Sequence, residues 1–152
     1  RMNMRFRQYK FKAYLNATHH ITIGGKPGEK HPHTWEICLD VLKTREEFVR
    51  FSELEEMVER FISVYQDKDL NETPPFHLVN PTLENCSDFF FEKFQQILSA
   101  HGWIVLMMTV SETPTRSYVI SNVHDSNPEE TTRALDAVAD EVLEKIMEAR
   151  VE

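Results

Sequence analysis

A chain of 152 residues with 41% hydrophobic and 28% charged residues suits one soluble globular domain with a proper core. No apolar run approaches the roughly 18 residues that span a bilayer, and a net charge of −8 offers no basic footprint for nucleic acid. Two cysteines, Cys38 and Cys86, are too few for a disulfide framework, so a reduced, cytoplasmic chain is expected, without a membrane or nucleic-acid partner.

The first long segment alternates with period two. Tyr9, Phe11, Ala13, Leu15, Ala17, His19, Ile21 and Ile23 fall on one face, with Lys10, Lys12, Asn16, Thr18, His20 and Thr22 on the other, which predicts a half-buried strand. Gly24 to Glu29 follows, and Pro27-Gly28 suits the centre of a type II turn. A second alternating stretch carries His31, His33, Trp35, Ile37, Leu39 and Val41 on one face, so the two segments are expected to form an antiparallel hairpin turning near Lys26. Ser52-Glu53-Leu54-Glu55 has the form of a capping box, and Leu54, Met57, Val58, Phe61, Ile62 and Tyr65 recur at helical spacing. The stretch from Asp67 to Asn80 holds Pro74-Pro75 and is expected to be irregular.

A second helix is predicted from about Thr82 to Gly102, carrying Leu83, Cys86, Phe90, Phe94, Ile97 and Leu98 inward. Trp103 to Val110 reads as a central strand, Thr113 to Arg116 as a turn, and Ser117 to Ser121 as the last strand. Asn127-Pro128-Glu129-Glu130 then opens a final helix whose stripe is Leu135, Val138, Ala139, Val142, Leu143, Ile146 and Met147. From Glu129 onward eight acidic residues face only Arg133, Lys145 and Arg150, so much of the negative charge belongs to this helix. The expected fold is α+β: an antiparallel sheet in the order ββααββ with two helices on one face, and an added C-terminal helix. The expected division is a domain over 2–122, and a helix over 127–152 that packs on the same domain or on a partner.

His31 and His33 are two apart on a strand, so both side chains leave one face. For a hairpin centred near Lys26, His19 lies opposite residues 31 to 33 on the same face. An isolated His-x-His pair is more often packed or solvated, but a third histidine in register favours a metal. Three neutral imidazole nitrogens with a fourth position left open suit zinc. His20 points to the other face, and His77, His101 and His124 stand in loops or at element ends, where solvation is the default.

Leu15-Asn16-Ala17-Thr18-His19-His20-Ile21 resembles the F-x-A-x-H-R-L strand of the 6-pyruvoyltetrahydropterin and 6-carboxytetrahydropterin synthase family, whose fold is the tunnelling fold. His31-Pro32-His33-Thr34-Trp35 resembles that family's H-G-H-x-aromatic strand, and Asp69-Leu70-Asn71-Glu72 falls where it has the end of L-D-H-x-x-L-N. Pro81-Thr82-Leu83-Glu84-Asn85 is similar to P-T-x-E-N, and Ser111-Glu112-Thr113 to a late E-T pair. These motifs come in the family's order between about residues 9 and 121, and the final helix lies outside the resemblance.

The resemblance implies that His19, His31 and His33 bind Zn2+. It also implies that Glu112 anchors the guanidine-like edge of a pterin, a contact a carboxylate makes with two parallel N–H bonds. Thr82 and Glu84 would orient the same ring, although both also stand where helix-capping residues belong. It further implies a homo-oligomer, trimer or hexamer, with sites between subunits, so that Glu112 and the metal come from different chains. The chemistry implied is lyase-type, on 7,8-dihydroneopterin triphosphate or a related pterin, toward tetrahydropterins, folate or a queuosine precursor.

Two features depart from the pattern. The family's base is a cysteine shortly before H-x-H, where this chain has Lys26 to Lys30 and no cysteine; Glu29 is the candidate replacement. The Asp-His pair aligns with Gln66-Asp67, so Asp67 is the second candidate. These losses support an alternative, a zinc- and pterin- or purine-binding homologue without the original lyase activity. A structural oligomer packed through its acidic helix is a third reading.

Overall fold

The computed structural model describes residues 7–44, 49–122 and 140–149. Its elements follow the sequence as β1 (Tyr9–His19), β2 (Thr22–Ile23), β3 (Lys26–Pro27), β4 (His31–Lys43), α1 (Phe51–Ile62), β5 (Lys68–Asp69), α2 (Leu83–Ser99), β6 (Trp103–Thr113) and β7 (Arg116–Ser121). A single turn of 3-10 helix at Leu70–Glu72 follows β5. The main sheet runs β5-β1-β4-β6-β7 and is antiparallel except for the short β1–β5 pairing. This is the α+β arrangement read from the sequence.

Period two decides what the sheet buries. Leu15, Ala17, Trp35, Ile37, Leu39 and Val41 point to one face and meet Leu54, Val58 and Ile62 of α1 and Leu83, Phe90, Phe94 and Leu98 of α2. Each large side chain removed from water there contributes about 1.5–3 kcal/mol. Helix α2 begins where the sequence places it, because the Thr82 hydroxyl accepts from the Asn85 N–H at 3.1 Å. Leu70 and Phe76, from the irregular stretch, are also buried in this core. Tyr65, Phe76, Phe89 and Phe90 stack there mostly edge to face.

Three expectations change. The hairpin turns at Gly24-Gly25, both at positive φ (58° and 79°), and not at Pro27-Gly28; Pro27 lies in β3. Two consecutive left-handed residues fit a two-residue hairpin whose twist matches its strands. The pairing also slips by one residue between His19↔His31 and Thr22↔Pro27, and Ile23, expected on the face that carries His19, is exposed. At α1 the cap is Arg50, without a side-chain bond, and Ser52 lies inside the helix, so the capping box is not used.

The opposite face of the sheet carries a second, smaller cluster. Leu42, Leu106 and Val142 are buried together there, with Ile104, Met107 and Ile146 packed against them. Val142 and Ile146 belong to a helix over residues 140–149. Strand β6 is thus covered on both faces at this end, which accounts for its continuous apolar run. Met147, expected in the stripe, is exposed. The predicted start at Asn127 and the positions Leu135, Val138 and Ala139 lie outside the described residues, as does His124. No described helix is long and apolar enough to cross a membrane.

Candidate metal centre

The hairpin register that buries Leu15 against Trp35 also sets His19 directly opposite His31, with Ala17 opposite His33. All three imidazoles leave the core-side face at one end of the sheet. Their ring centroids lie 4.6 Å (His19–His31), 4.6 Å (His31–His33) and 5.0 Å (His19–His33) apart, and Trp35 packs edge-on beneath His19 and His33. One nitrogen from each ring lies within 4.8 Å of the other two, the one group among the described residues placed to hold a metal ion.

Hydrogen bonding fixes the tautomers. His19 Nδ1 lies 2.8 Å from the Pro81 carbonyl oxygen and His31 Nδ1 lies 2.9 Å from that of Glu29. A carbonyl can only accept, so each Nδ1 carries a proton, and in a neutral ring each Nε2 presents a lone pair. Those two Nε2 atoms face each other at 2.9 Å. Two lone pairs at that distance repel unless a cation lies between or beside them. The donor set therefore fits a divalent ion such as zinc, with backbone carbonyls orienting the ligand rings from behind.

His33 Nε2 is buried and has no hydrogen-bond partner. Burial lowers the pKa of both His19 and His33; for His19 the neighbouring imidazoles add to it and the Pro81 bond works against it. Both rings therefore stand neutral at pH 7, as a metal requires.

Glu112, 7% exposed at the end of β6, completes the cluster. Its Oε2 lies 3.8 Å from His19 Nε2 and 4.0 Å from His33 Nε2, and Oε2 has no hydrogen-bond partner. Its Oε1 forms an ion pair with Arg116 Nε at 2.8 Å across the Pro114-Thr115 turn. The expectation that Glu112 and the histidines come from different chains is corrected: one chain supplies all four groups.

The other expected site residues stand apart. The Glu29 side chain is exposed, and only its backbone oxygen faces the cluster. Asp67 is exposed at φ 60°, its N–H donating to the Asn16 carbonyl. The Thr82 hydroxyl caps α2, and Glu84 is exposed in the first helical turn.

Sequence reading missed the supports. Asn71 clamps the backbone just after His19, accepting from the His20 N–H and donating to the His20 carbonyl, and Asn80 does the same at Thr22. Lys30, which precedes His31, pairs with Asp69 of β5. Burial alone would raise the Asp69 pKa, but the Lys30 ammonium and the Asn71 N–H hold it below the usual value.

The family model for 6-pyruvoyl tetrahydropterin synthase matches residues 8–122, which takes in all of these groups and leaves out the helix at 140–149. A search of curated proteins gives no significant match. Among solved structures, the chain is similar to Caenorhabditis elegans 6-pyruvoyl tetrahydropterin synthase, with TM-score 0.65, 14% identity, and 80% of this chain and 99% of that one covered. It is also similar to the Plasmodium falciparum enzyme of that name (TM-score 0.57, 13% identity, 75% and 96% covered). A third is a Plasmodium vivax 6-pyruvoyltetrahydropterin synthase bearing a glutamate-to-cysteine change at a catalytic residue (TM-score 0.55, 14% identity, 76% and 98% covered). At these identities the structures establish a shared fold.

Proposed function

The chain belongs to the 6-pyruvoyl tetrahydropterin synthase family, and from that premise we propose that it is a zinc-dependent, lyase-type enzyme. Its substrate in this reading is 7,8-dihydroneopterin triphosphate or a closely related pterin. The observation that carries the reading is the opposed Nε2 pair of His19 and His31, each ring held from behind by a carbonyl. His19, His31 and His33 would hold zinc, which when bound would polarise the oxygens of the substrate side chain.

Glu112 would take the 2-amino-pyrimidinone edge of the pterin with two charge-assisted bonds. Arg116, whose side chain is 62% exposed, must then give up its place on Oε1. Proton removal falls to Glu29, whose backbone carbonyl meets the His31 ring and whose exposed carboxylate would have to turn inward to reach the substrate. The glutamate changed in the Plasmodium vivax variant is catalytic in that enzyme, which supports a carboxylate in this role. Asp67 would assist from the turn before β5, and Thr82 and Glu84 would border the ring. Among the described residues no strand pairs with the outer edge of β1 before Ala17, and Gln66 and Asp67 cover it only at Tyr14 and Asn16; the remaining edge toward Tyr9 favours closure through further copies of the chain, a trimer or hexamer. The two buried free cysteines fit a cytoplasmic setting.

A second reading, a zinc- and pterin- or purine-binding protein without lyase activity, is favoured by the exposure of both Glu29 and Asp67. Incubating zinc-loaded protein with 7,8-dihydroneopterin triphosphate and following the mixture by mass spectrometry separates the two. Conversion of the substrate supports the enzyme; tight binding with unchanged substrate establishes the second reading. Purified protein without stoichiometric zinc would remove both.

A further inference from the structure

We propose that Glu112 is the fourth protein ligand of the metal, so that the resting site is a closed set of three histidines and one carboxylate. This rests on the zinc reading above and extends it.

Glu112 is 7% exposed, yet its Oε2 is buried and has no hydrogen-bond partner. It lies 3.8 Å from His19 Nε2 and 4.0 Å from His33 Nε2. His19 cannot satisfy it by donating, because the proton of that ring is on Nδ1 and given to Pro81. The second nitrogen, His33 Nε2, is itself buried without a partner. Two orphaned atoms thus stand beside the opposed lone pairs, and a cation held by the three histidines would draw Oε2 toward it.

The spacing agrees. Four ligands at 2.0–2.1 Å around a tetrahedral ion lie roughly 3.3 Å from one another; His19 and His31 stand 2.9 Å apart, and Oε2, at 3.8 and 4.0 Å from His19 and His33, closes on such an ion by a small side-chain shift. Arg116 holds Oε1, which keeps Oε2 turned toward the histidines. The other carboxylates nearby are committed or turned away. Asp69 pairs with Lys30 and accepts from the Asn71 N–H, while Glu29, Glu72 and Glu84 are exposed.

A closed set differs from the open position that catalytic zinc ordinarily keeps. Glu112 cannot serve the metal and a pterin edge at once. A ligand carrying the 2-amino-pyrimidinone group therefore opens the site by taking Glu112 from it, and ligands without that edge leave it closed.

The test uses the full chain loaded with cobalt(II) as a spectroscopic stand-in, together with zinc affinity measured by competition with a chelator. Wild-type protein should bind one ion per chain with the strong visible absorption of a four-coordinate site. Glu112→Gln should change that spectrum and weaken zinc by about tenfold to a hundredfold. Glu112→Asp keeps the charge but withdraws the oxygen by one methylene, and it should also lose affinity. If Glu112→Gln leaves both spectrum and affinity unchanged, or Glu112→Asp behaves as wild type, Glu112 is no ligand and the proposal falls, while the histidine site stands as long as His31→Ala still loses the metal. Wild-type protein that takes up no ion overturns the zinc reading and this proposal together.

Discussion

Two carboxylates are buried on opposite faces of the same sheet, and they make an informative pair. Asp40, 1% exposed, lies on the face away from α1 and α2; Glu112 lies on the face that carries the histidines. Each has one oxygen engaged and the other without a hydrogen bond. Asp40 Oδ1 accepts from Gln8 Nε2 at 3.1 Å and sits 3.6 Å from Lys10 Nζ, while Glu112 Oε1 is ion-paired with Arg116. What differs is the company of the second oxygen. Glu112 Oε2 meets two imidazole nitrogens, whereas no such group meets Asp40 Oδ2 among the described residues. Burial of a carboxylate is therefore no sign of chemistry by itself. The sign lies in several unsatisfied groups aimed at one point.

The sharpest way to break that contrast is to remove one histidine and, separately, neutralise Asp40. His31→Ala should lower zinc affinity by about a hundredfold or more, because it deletes a ligand outright. Asp40→Asn, on the far face, should leave it within about twofold, as expected of a site sharing no partner with the metal. Chelator competition on the two variants decides the matter. Comparable losses would mean that Asp40 and the histidines belong to one network through the sheet.

A second contrast is in pH. His19 and His33 are buried with lowered pKa values. Well above pH 6.5 they are neutral both folded and unfolded, and they contribute no pH dependence. As the pH falls below that value the unfolded chain binds protons that the folded chain resists, so metal-free protein should lose stability on acidification from pH 7 to 5. Denaturant titrations at several pH values measure this, and His33→Gln should flatten the dependence while Asp40→Asn keeps it. A slope unchanged in His33→Gln would show that the fall comes from other groups.

Much of this arrangement is legible in the sequence for one physical reason. A sheet with a buried face forces a period of two, so Leu15, Trp35 and the three histidines reveal their common side without coordinates. The signal weakens wherever backbone groups decide the outcome. Pro81 serves His19 through its carbonyl, which any residue has, so its identity gives no hint of that role. Arg116 reaches Glu112 only because a two-residue turn folds β7 back on β6, a contact that helical or strand periodicity does not suggest. Leu70 and Phe76 enter the core from a stretch with no period at all. At the hairpin the sequence points to Pro27-Gly28, but the strand twist favours two left-handed residues in succession, and Gly24-Gly25 provides them.

Thr82 offers the smallest and most discriminating test, because its hydroxyl can be read as a helix cap or as a pterin contact. The geometry assigns it to the cap, accepting from the Asn85 N–H, one residue after the carbonyl that orients His19. Thr82→Ala should then cost about 1 kcal/mol of stability, the usual loss for an N-cap threonine. Because the cap fixes where α2 starts, and with it the position of Pro81, zinc affinity should weaken slightly in the same variant. Thr82→Asp caps a helix equally well but puts a charge where the hydroxyl stood. If Thr82 is only a cap, Thr82→Asp should restore both thermal stability and pterin affinity. If the hydroxyl also orients the ring, stability should return while pterin affinity stays low. Measuring both quantities on both variants separates a residue that positions a ligand's support from one that touches the ligand itself.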